Sequence, residues 1–554
     1  MPPKLIDFRS APAHYQHWNL SIEGNIARLG LDVSEHGALD PECELKLNSY
    51  DLSVDIELAD AVQRLRFEHP SVVAVVITSD KDTVFSAGAN IQMLARASHH
   101  DKVNFCKFTN ETRNCIEDAT LNSNQRYFCA LNASAAGGGY ELALATDHIL
   151  LVDDGFSAVS LPEVPVLGVL PGTGGLTRLL DKRKVRPDRA DYFCTIEEGI
   201  SGPRALAWNL VDELAPPSQF NASLSQRISE HIESIESPVI GNGIELFHIE
   251  RNIQAHRIDY DHLSVTLERH PKNLATITLR APKSVGEDDL GRIHSLGARW
   301  WPLAVARELD DLVLHLRTNE PTIGTWVFKA TGNIDVVSAY DHCLILHAHD
   351  WFVREVTLFW KRLLKRLEVT SRSLITLIEP GSCFAGFLLE IALASDRCYM
   401  LAGGWEDNPT DTAIVRLGDT NFGPLPNISG ISRLHTRYLD DETLIAQLDT
   451  FRGRDLDAAN AQQLRLVTFA PDDLDWDDEV RLSLEARASF SPDALTAMEA
   501  NLRFPGPETM ESRIFARLSA WQNWIFQRPN AVGETGALTR YGSGLRSEFD
   551  WQRV

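Results

Sequence analysis

Along the first half of the chain, short apolar runs alternate with longer amphipathic stretches. Residues 26–32 (IARLGLD) predict a strand, and residues 57–67 (ELADAVQRLRF) carry apolar positions at helical spacing. Residues 71–78 (SVVAVVIT) form a near-continuous β-branched run, the pattern of a strand buried on both faces. A turn leads to FSAGANI at 85–91, and a long helical stretch continues through Cys115. Residues 127–132 predict a further strand, and Ala136-Gly-Gly-Gly139 opens a helix over 140–146. Such βα alternation implies an α/β fold.

The second half repeats this order imperfectly. ELALATD at 141–147 has a counterpart in EIALASD at 390–396, identical at five of seven positions and 249 residues away. FSAGANI resembles FKATGNI at 328–334, and LPGTGGLTR at 170–178 resembles LPNISGISR at 425–433. Three matches in one order at nearly one spacing imply a tandem duplication. The expected divisions are 1–245, a second repeat over 246–435, and a mainly helical region over 436–554 that ends in an irregular tail rich in Gly, Arg and aromatics.

Two glycine turns and two carboxylates carry the candidate chemistry. Glycines between a strand and a helix let a ligand approach the main chain. The amides at a helix start lack intrahelical acceptors and lie at the positive end of the helix dipole. A developing oxyanion placed there meets fixed donors rather than mobile water. The turn at 85–91 supplies a second set of amides, and two such loops on neighbouring strands can converge on one oxygen. Glu141 falls on the first helical turn after the glycines. Glu163 sits in the apolar, proline-stiffened segment SLPEVPVLG at 160–168, where desolvation favours its protonated form. Two carboxylates in different surroundings can act as acid and base at one pH.

Composition narrows the classes of ligand. The net charge of −24 and pI near 5.2 give no global attraction for nucleic acid or anionic membranes. A polyanionic ligand would need a local basic patch. The run DKRKVR at 181–186 is the densest basic stretch, although such runs commonly form a solvated helix end. The eight cysteines include no Cys-x-x-Cys pair, which speaks against a zinc site or a disulfide framework and fits a reducing, cytoplasmic setting. The N-terminal segment lacks an apolar signal core, and no run approaches the length of a membrane span.

Taken together, FSAGANI, AGGGYELALATD at 136–147 and PEVPVLGVLPGTGGLTR at 162–178 resemble the crotonase (enoyl-CoA hydratase/isomerase) superfamily, over roughly residues 20–245. The resemblance implies a crotonase-like ββα spiral fold, tandemly duplicated, with a degenerate second repeat and a helical C-terminal region. It implies an acyl-CoA thioester substrate whose carbonyl oxygen lies between the amides of Ala89 and Gly138, flanked by Ala87, Asn90, Ile91 and Gly137. Glu141 and Glu163 take the positions of the family's paired catalytic glutamates. Asn90 stands where the family usually has Asp, a position that matters more for the turn than for chemistry. Cys106, on the helix after the first loop, is a further pocket candidate or else a buried apolar cysteine.

In the second repeat, Phe387 replaces the glycine equivalent to Gly138, and Gly418 stands at the offset of Glu163. Glu390 survives there as an isolated carboxylate. The whole-chain arrangement resembles the superfamily branch that opens an epoxidised aromatic ring held as its CoA thioester. That resemblance implies conversion of 2,3-epoxy-2,3-dihydrobenzoyl-CoA to 3,4-didehydroadipyl-CoA semialdehyde and formate, without metal or redox cofactor. A hydratase or isomerase of another acyl-CoA, and a non-catalytic CoA-binding protein, are the alternatives. The duplication implies a homodimer, the second repeat replacing a contact that single-repeat relatives obtain by oligomerising.

Overall fold

The computed structural model describes residues 5–235, 241–285, 288–439 and 441–554. The chain divides into two compact units, Asp7–His248 and Ile249–Val554, the second also taking in Leu5 and Ile6. Residues 246–435 and 436–554 thus lie within one unit, apart from the few residues before Ile249. Among the described residues, no helix is long and apolar enough to cross a membrane.

The first unit is built on a six-stranded sheet. Its strands, in spatial as well as chain order, are β1 (Trp18–Glu23), β2 (Ile26–Leu31), β3 (Ala74–Ser79), β4 (Arg126–Leu131), β5 (His148–Val152) and β6 (Glu213–Ala215). β1 and β2 form an antiparallel hairpin, and every later pairing is parallel. Parallel strands need crossovers, which helices supply. α1 (Leu52–Glu68) joins β2 to β3, and α2 (Ile91–Arg96) with α3 (His99–Asn122) joins β3 to β4. α4 (Gly138–Ala145) joins β4 to β5, and α5 (Gly175–Asp181) follows β5.

The β-branched run predicted as a doubly buried strand forms β3, whose residues are buried but for half-buried Thr78. Ala74, Val76, Phe128, Ala130, Leu150 and Val152 make one face of a core closed by Phe220, Leu224 and Ile228. Those last three stand at the i, i+4, i+8 spacing of one helical face, on α6 (Phe220–Glu233).

The second unit repeats the plan. Its seven-stranded sheet runs β7 (Asn252–Ile253), β8 (Arg257–Asp259), β9 (Leu263–Glu268), β10 (Leu274–Arg280), β11 (Thr325–Thr331), β12 (Ser373–Ile378) and β13 (Arg397–Met400). β9 and β10 are antiparallel, and β10 through β13 are parallel. The crossovers again are one long helix, α7 (Trp301–Asn319), then a helix pair, α8 (Ile334–Leu346) and α9 (Trp351–Glu368), then α10 (Gly386–Ala394). α11 (Arg433–Tyr438) occupies the place of α5. The helical tail follows with α12 (Asp473–Ser489) and α13 (Pro492–Leu502).

The match of FSAGANI with FKATGNI needs correction at its first half. Phe328 to Thr331 lie inside β11, whereas the FSA of 85–87 belongs to a loop beyond β3. Residues 80–90 separate β3 from α2, but only Gly332 and Asn333 separate β11 from α8. The true correspondence is the helix start, where Asn90 and Asn333 each cap the following helix. Among the described residues, the second unit therefore has no counterpart of the first glycine loop between β11 and α8.

Candidate active site

Each loop of the site is fixed by main-chain bonds to the other. Phe85 N donates to Ser134 O at 3.0 Å, and Ala136 N donates to Ser86 O at 2.9 Å. Gly137 N donates to Ser160 O at 2.9 Å, which ties in the segment that carries Glu163. Residues 88–89 pair in parallel with residues 49–50, and Asn90 N donates to Tyr50 O at 2.8 Å. Successive strand amides point to opposite sides, so Ala89 N–H turns away from that partner strand. Its nitrogen lies close to the start of α4: a Cβ on Gly138 would lie 3.5 Å from Ala89 N.

Gly138 is the first residue of α4, and its N-cap Gly137 has a left-handed φ of 52° and no side chain with which to cap the helix. Its amide has no acceptor within the helix. Both glycine loops are close enough to exclude side chains. A Cβ on Gly88 would lie 2.7 Å from Gly138 N, and one on Gly138 would lie 2.1 Å from the Tyr50 hydroxyl. The structure thus brings Ala89 and Gly138 together as the sequence pattern requires.

The two glutamates sit in unlike environments. Glu141, on the first turn of α4, is 2% exposed. Its Oε1 accepts from Thr173 N at 3.0 Å and from Gly175 N at 2.7 Å, and its Oε2 accepts from the Thr173 hydroxyl. A carboxylate offers about four acceptor sites, so one is left for a water or substrate group.

Glu163 opens the turn Glu163–Leu167 and is 8% exposed. Its Oε2 is buried without a hydrogen-bond partner in the protein, and its Oε1 lies 2.9 Å from where a Cβ on Gly137 would stand. Burial, reinforced by the charge of Glu141, pushes its carboxyl up to about 7. One carboxylate is anchored by three donors. The other has a buried oxygen without a donor beside the Gly137 turn, and its carboxyl is raised to about 7.

Cys106, on α3, has its sulfur 3.5 Å from where a Cβ on Gly172 would stand, next to the Thr173 that holds Glu141. Burial, and then Glu141, push its thiol up to about 11, so it remains protonated at neutral pH. Asn90 turns inward: its Oδ1 accepts from Met93 N, and its amide donates to Glu44 O and Ser49 Oγ. It shapes the loop rather than offering a group to a ligand. Ala87 and Ile91 are exposed on either side of the Gly88–Ala89 pair, and exposed Val164, Val166, Val169 and Leu170 follow Glu163 in the chain.

The basic run at 181–186 is largely neutralised within its unit. Lys182 pairs with Glu117 at 3.1 Å, Arg183 with Asp212 at 2.8 Å, and Arg186 with Asp188 at 2.5 Å. It behaves as a charged helix end. Thr173, Tyr50 and Arg113 were not singled out from the sequence. Only Thr173 carried a signal, lying in the LPGTGGLTR repeat.

The corresponding place in the second unit is closed from within. Phe387 N, the counterpart of Gly138 N, donates to Asp341 Oδ1 at 2.8 Å. The carboxylate also accepts from the Thr420 hydroxyl, and a Cβ on Gly418 would strike its Oδ2 at 2.1 Å. Phe387 is fully buried and packs on Trp360 and Trp301, with ring centroids 4.9 and 5.7 Å away. Glu390 is bound by Arg433 at 2.9 Å and Asn421 at 2.7 Å. Arg433 also pairs with Glu368 at 2.6 Å, as Arg178 pairs with Glu117 at 2.9 Å in the first unit. A protein carboxylate thus occupies the amide that an acyl oxygen would use, and an arginine neutralises the surviving glutamate.

Two glycine loops meeting at the head of α4, with Glu141 and Glu163 beside them, are the arrangement that the crotonase resemblance implies. The enoyl-CoA hydratase/isomerase family model matches residues 42–239. An enoyl-CoA hydratase structure from Geobacillus kaustophilus is 33% identical, covering 39% of this chain and 74% of that one, with a TM-score of 0.35. The fatty acid oxidation complex subunit alpha of Shewanella loihica is 35% identical over 145 residues, 26% of this chain and 20% of that protein. The chain belongs to the crotonase superfamily. Within it, benzoyl-CoA-dihydrodiol lyase of Aromatoleum evansii is 51% identical over 551 residues, spanning 100% of this chain and 98% of that protein.

Proposed function

We propose that this protein is a carbon–carbon lyase that opens the ring of 2,3-epoxy-2,3-dihydrobenzoyl-CoA in aerobic benzoate degradation. The products are 3,4-didehydroadipyl-CoA semialdehyde and formate. The observation that carries the reading is the 51% identity to benzoyl-CoA-dihydrodiol lyase across both chains. The equation balances with water alone. The seven-carbon epoxy acyl group takes up two waters, both ring C–C bonds of one carbon break, the first opening the ring and the second releasing that carbon as formic acid, and a six-carbon semialdehyde acyl group remains on CoA. The step as proposed uses no metal and no redox cofactor.

The site supplies what that equation needs. The thioester oxygen accepts from Ala89 N and Gly138 N. Charge that develops as the epoxide opens and the ring bonds break is delocalised onto that oxygen, where fixed donors hold it. Glu163, near its midpoint at neutral pH, protonates the ring oxygen and recovers a proton from water. Glu141 uses its remaining acceptor site to orient a water. The apolar residues Val164, Val166, Val169 and Leu170 offer an edge for the ring. The assembly in this reading is a cytoplasmic homodimer. The exposed Met510, Phe515, Leu518 and Phe526 of the C-terminal helices support association, and eight free cysteines support a reducing compartment.

The test is turnover of 2,3-epoxy-2,3-dihydrobenzoyl-CoA with formate as the readout, beside crotonyl-CoA. Formate release supports the lyase. Hydration of crotonyl-CoA with an inert epoxide would replace it with a hydratase.

A further inference from the structure

Behind the two oxyanion loops lies a buried polar relay that the reaction above does not use. Tyr50, Arg113 and Asp55 are 4%, 1% and 3% exposed. Arg113 Nη2 donates to the Tyr50 hydroxyl at 2.6 Å and to Gly138 O at 3.0 Å. Arg113 Nη1 donates to Thr109 O at 3.2 Å and faces Asp55 at 3.6 Å, and Asp55 in turn accepts from the Thr109 hydroxyl. The phenol oxygen touches Gly138, close to where a Cβ would be, on the side that also approaches Ala89 N.

The hydroxyl receives a hydrogen bond from a cation, so its own proton must point elsewhere. A guanidinium donating to a phenol oxygen also makes that phenol a stronger donor. Desolvation raises the Tyr50 phenol above its ordinary value and Arg113 only partly offsets this, so the proton stays on the oxygen. The second unit offers an internal contrast. Where its site is closed, Phe387 packs against Trp301 and Trp360, and its amide is taken by the Asp341 carboxylate.

We propose that the Tyr50 hydroxyl is a third hydrogen-bond donor to the thioester oxygen, held in place and polarised by Arg113 with Asp55 behind it. Tyr50 would then be a catalytic residue that touches substrate, and Arg113 a positioning residue. The proposal rests on the reading of Ala89 and Gly138 as the oxyanion site.

The probe is benzoyl-CoA labelled with ¹³C at the thioester carbonyl, which has no epoxide to open. Difference infrared spectroscopy reads the carbonyl stretch on binding. The wild-type protein should shift it to lower frequency. No shift in the wild type would overturn the oxyanion reading itself. Tyr50→Phe should lose part of that shift and lower kcat about 10-fold to 100-fold with KM little changed, somewhat less than the loss of one backbone-type donor. An unchanged shift in a folded Tyr50→Phe protein overturns the third donor, whatever happens to kcat. Should Tyr50→Phe fail to fold, 3-fluorotyrosine at position 50 preserves the shape with a more acidic phenol. A larger shift than wild type is then expected, and an identical one overturns the proposal. Arg113→Lys keeps a buried cation but loses the two-pronged contact, so it should lose part of the same shift.

Discussion

Glu163→Gln separates catalysis from stability in a way few substitutions can. In the folded protein the carboxyl is raised from 4.5 to about 7, chiefly by burial. That displacement corresponds to about 3 kcal/mol of preference for the neutral form. The folded state binds the proton more tightly than the unfolded chain. Stability contributed by this group is therefore fully present below about pH 4.5 and is lost as pH rises through about 7. Glutamine has no charge to bury, so Glu163→Gln should be more stable than the parent at pH 8, by up to about 3 kcal/mol. For a unit of this size that is roughly 6–12 °C in the melting transition it governs. The gap should close towards pH 4.5, since all other titrations are shared by both proteins.

Activity should move the other way. Loss of the acid–base group should lower kcat by about 10²–10⁴ and remove the limb of the pH–rate profile near 7. Calorimetry at pH 5 and pH 8, with formate release measured on the same preparations, checks both. A variant that keeps full turnover, or that is destabilised equally at both pH values, would refute the reasoning.

Three further outcomes follow from the same geometry. Cys106→Ala should retain turnover within about 10-fold, because a thiol held near 11 is not a nucleophile at neutral pH; alkylation of Cys106 in the native protein should accelerate only as the pH approaches 11. Phe387→Ala should destabilise the second unit by about 3–5 kcal/mol, since it empties space among Trp301 and Trp360. It should create no second acyl-CoA site, because the loop bearing an Ala89 counterpart is missing; isothermal titration should still give one benzoyl-CoA per chain. Glu499→Gln should lower the melting transition of the second unit by the equivalent of about 3–5 kcal/mol. Its carboxylate is buried among Arg553, Arg503 and Arg487, which hold it below its ordinary value against the cost of burial. Removing the charge leaves those arginines facing one another, which differential scanning calorimetry will detect.

The glycine turns were legible because close approach demands glycine whatever the surrounding sequence. Gly88 and Gly138 each lie within 3 Å of atoms that a Cβ would meet. The alternating plan of the first unit was legible in its helices and doubly buried strands. β1 and β5 are hard to read from the sequence, since WNLSIE interleaves polar residues and HILLV is only five residues long. The duplication was legible in motifs, but aligning letters set Phe328 opposite Phe85 and hid a deletion. The strands before the loop start 251 residues apart, at Ala74 and Thr325, and the helices after it 243 apart, at Ile91 and Ile334, which marks the lost loop.

Arg113 and Tyr50 were not legible because the relay joins residues 63 apart in sequence, brought together only when α3 packs behind the loops. Asp341 was likewise invisible: its role depends on α8 presenting it to Phe387 N. The opposed settings of Glu141 and Glu163 were only partly legible. The apolar segment around Glu163 forecast a raised carboxyl, but nothing in the sequence showed that Thr173 and Gly175 would claim Glu141.

The central claim is that water alone opens the ring and expels one carbon as formate, and ¹⁸O labelling tests it most directly. The enzyme is incubated with unlabelled 2,3-epoxy-2,3-dihydrobenzoyl-CoA in H₂¹⁸O, and both products are weighed by mass spectrometry. The substrate brings a single epoxide oxygen, so at least one oxygen of every formate must come from water, beside a six-carbon semialdehyde CoA thioester. A seven-carbon acyl-CoA product with no formate, or formate free of ¹⁸O, would contradict the account.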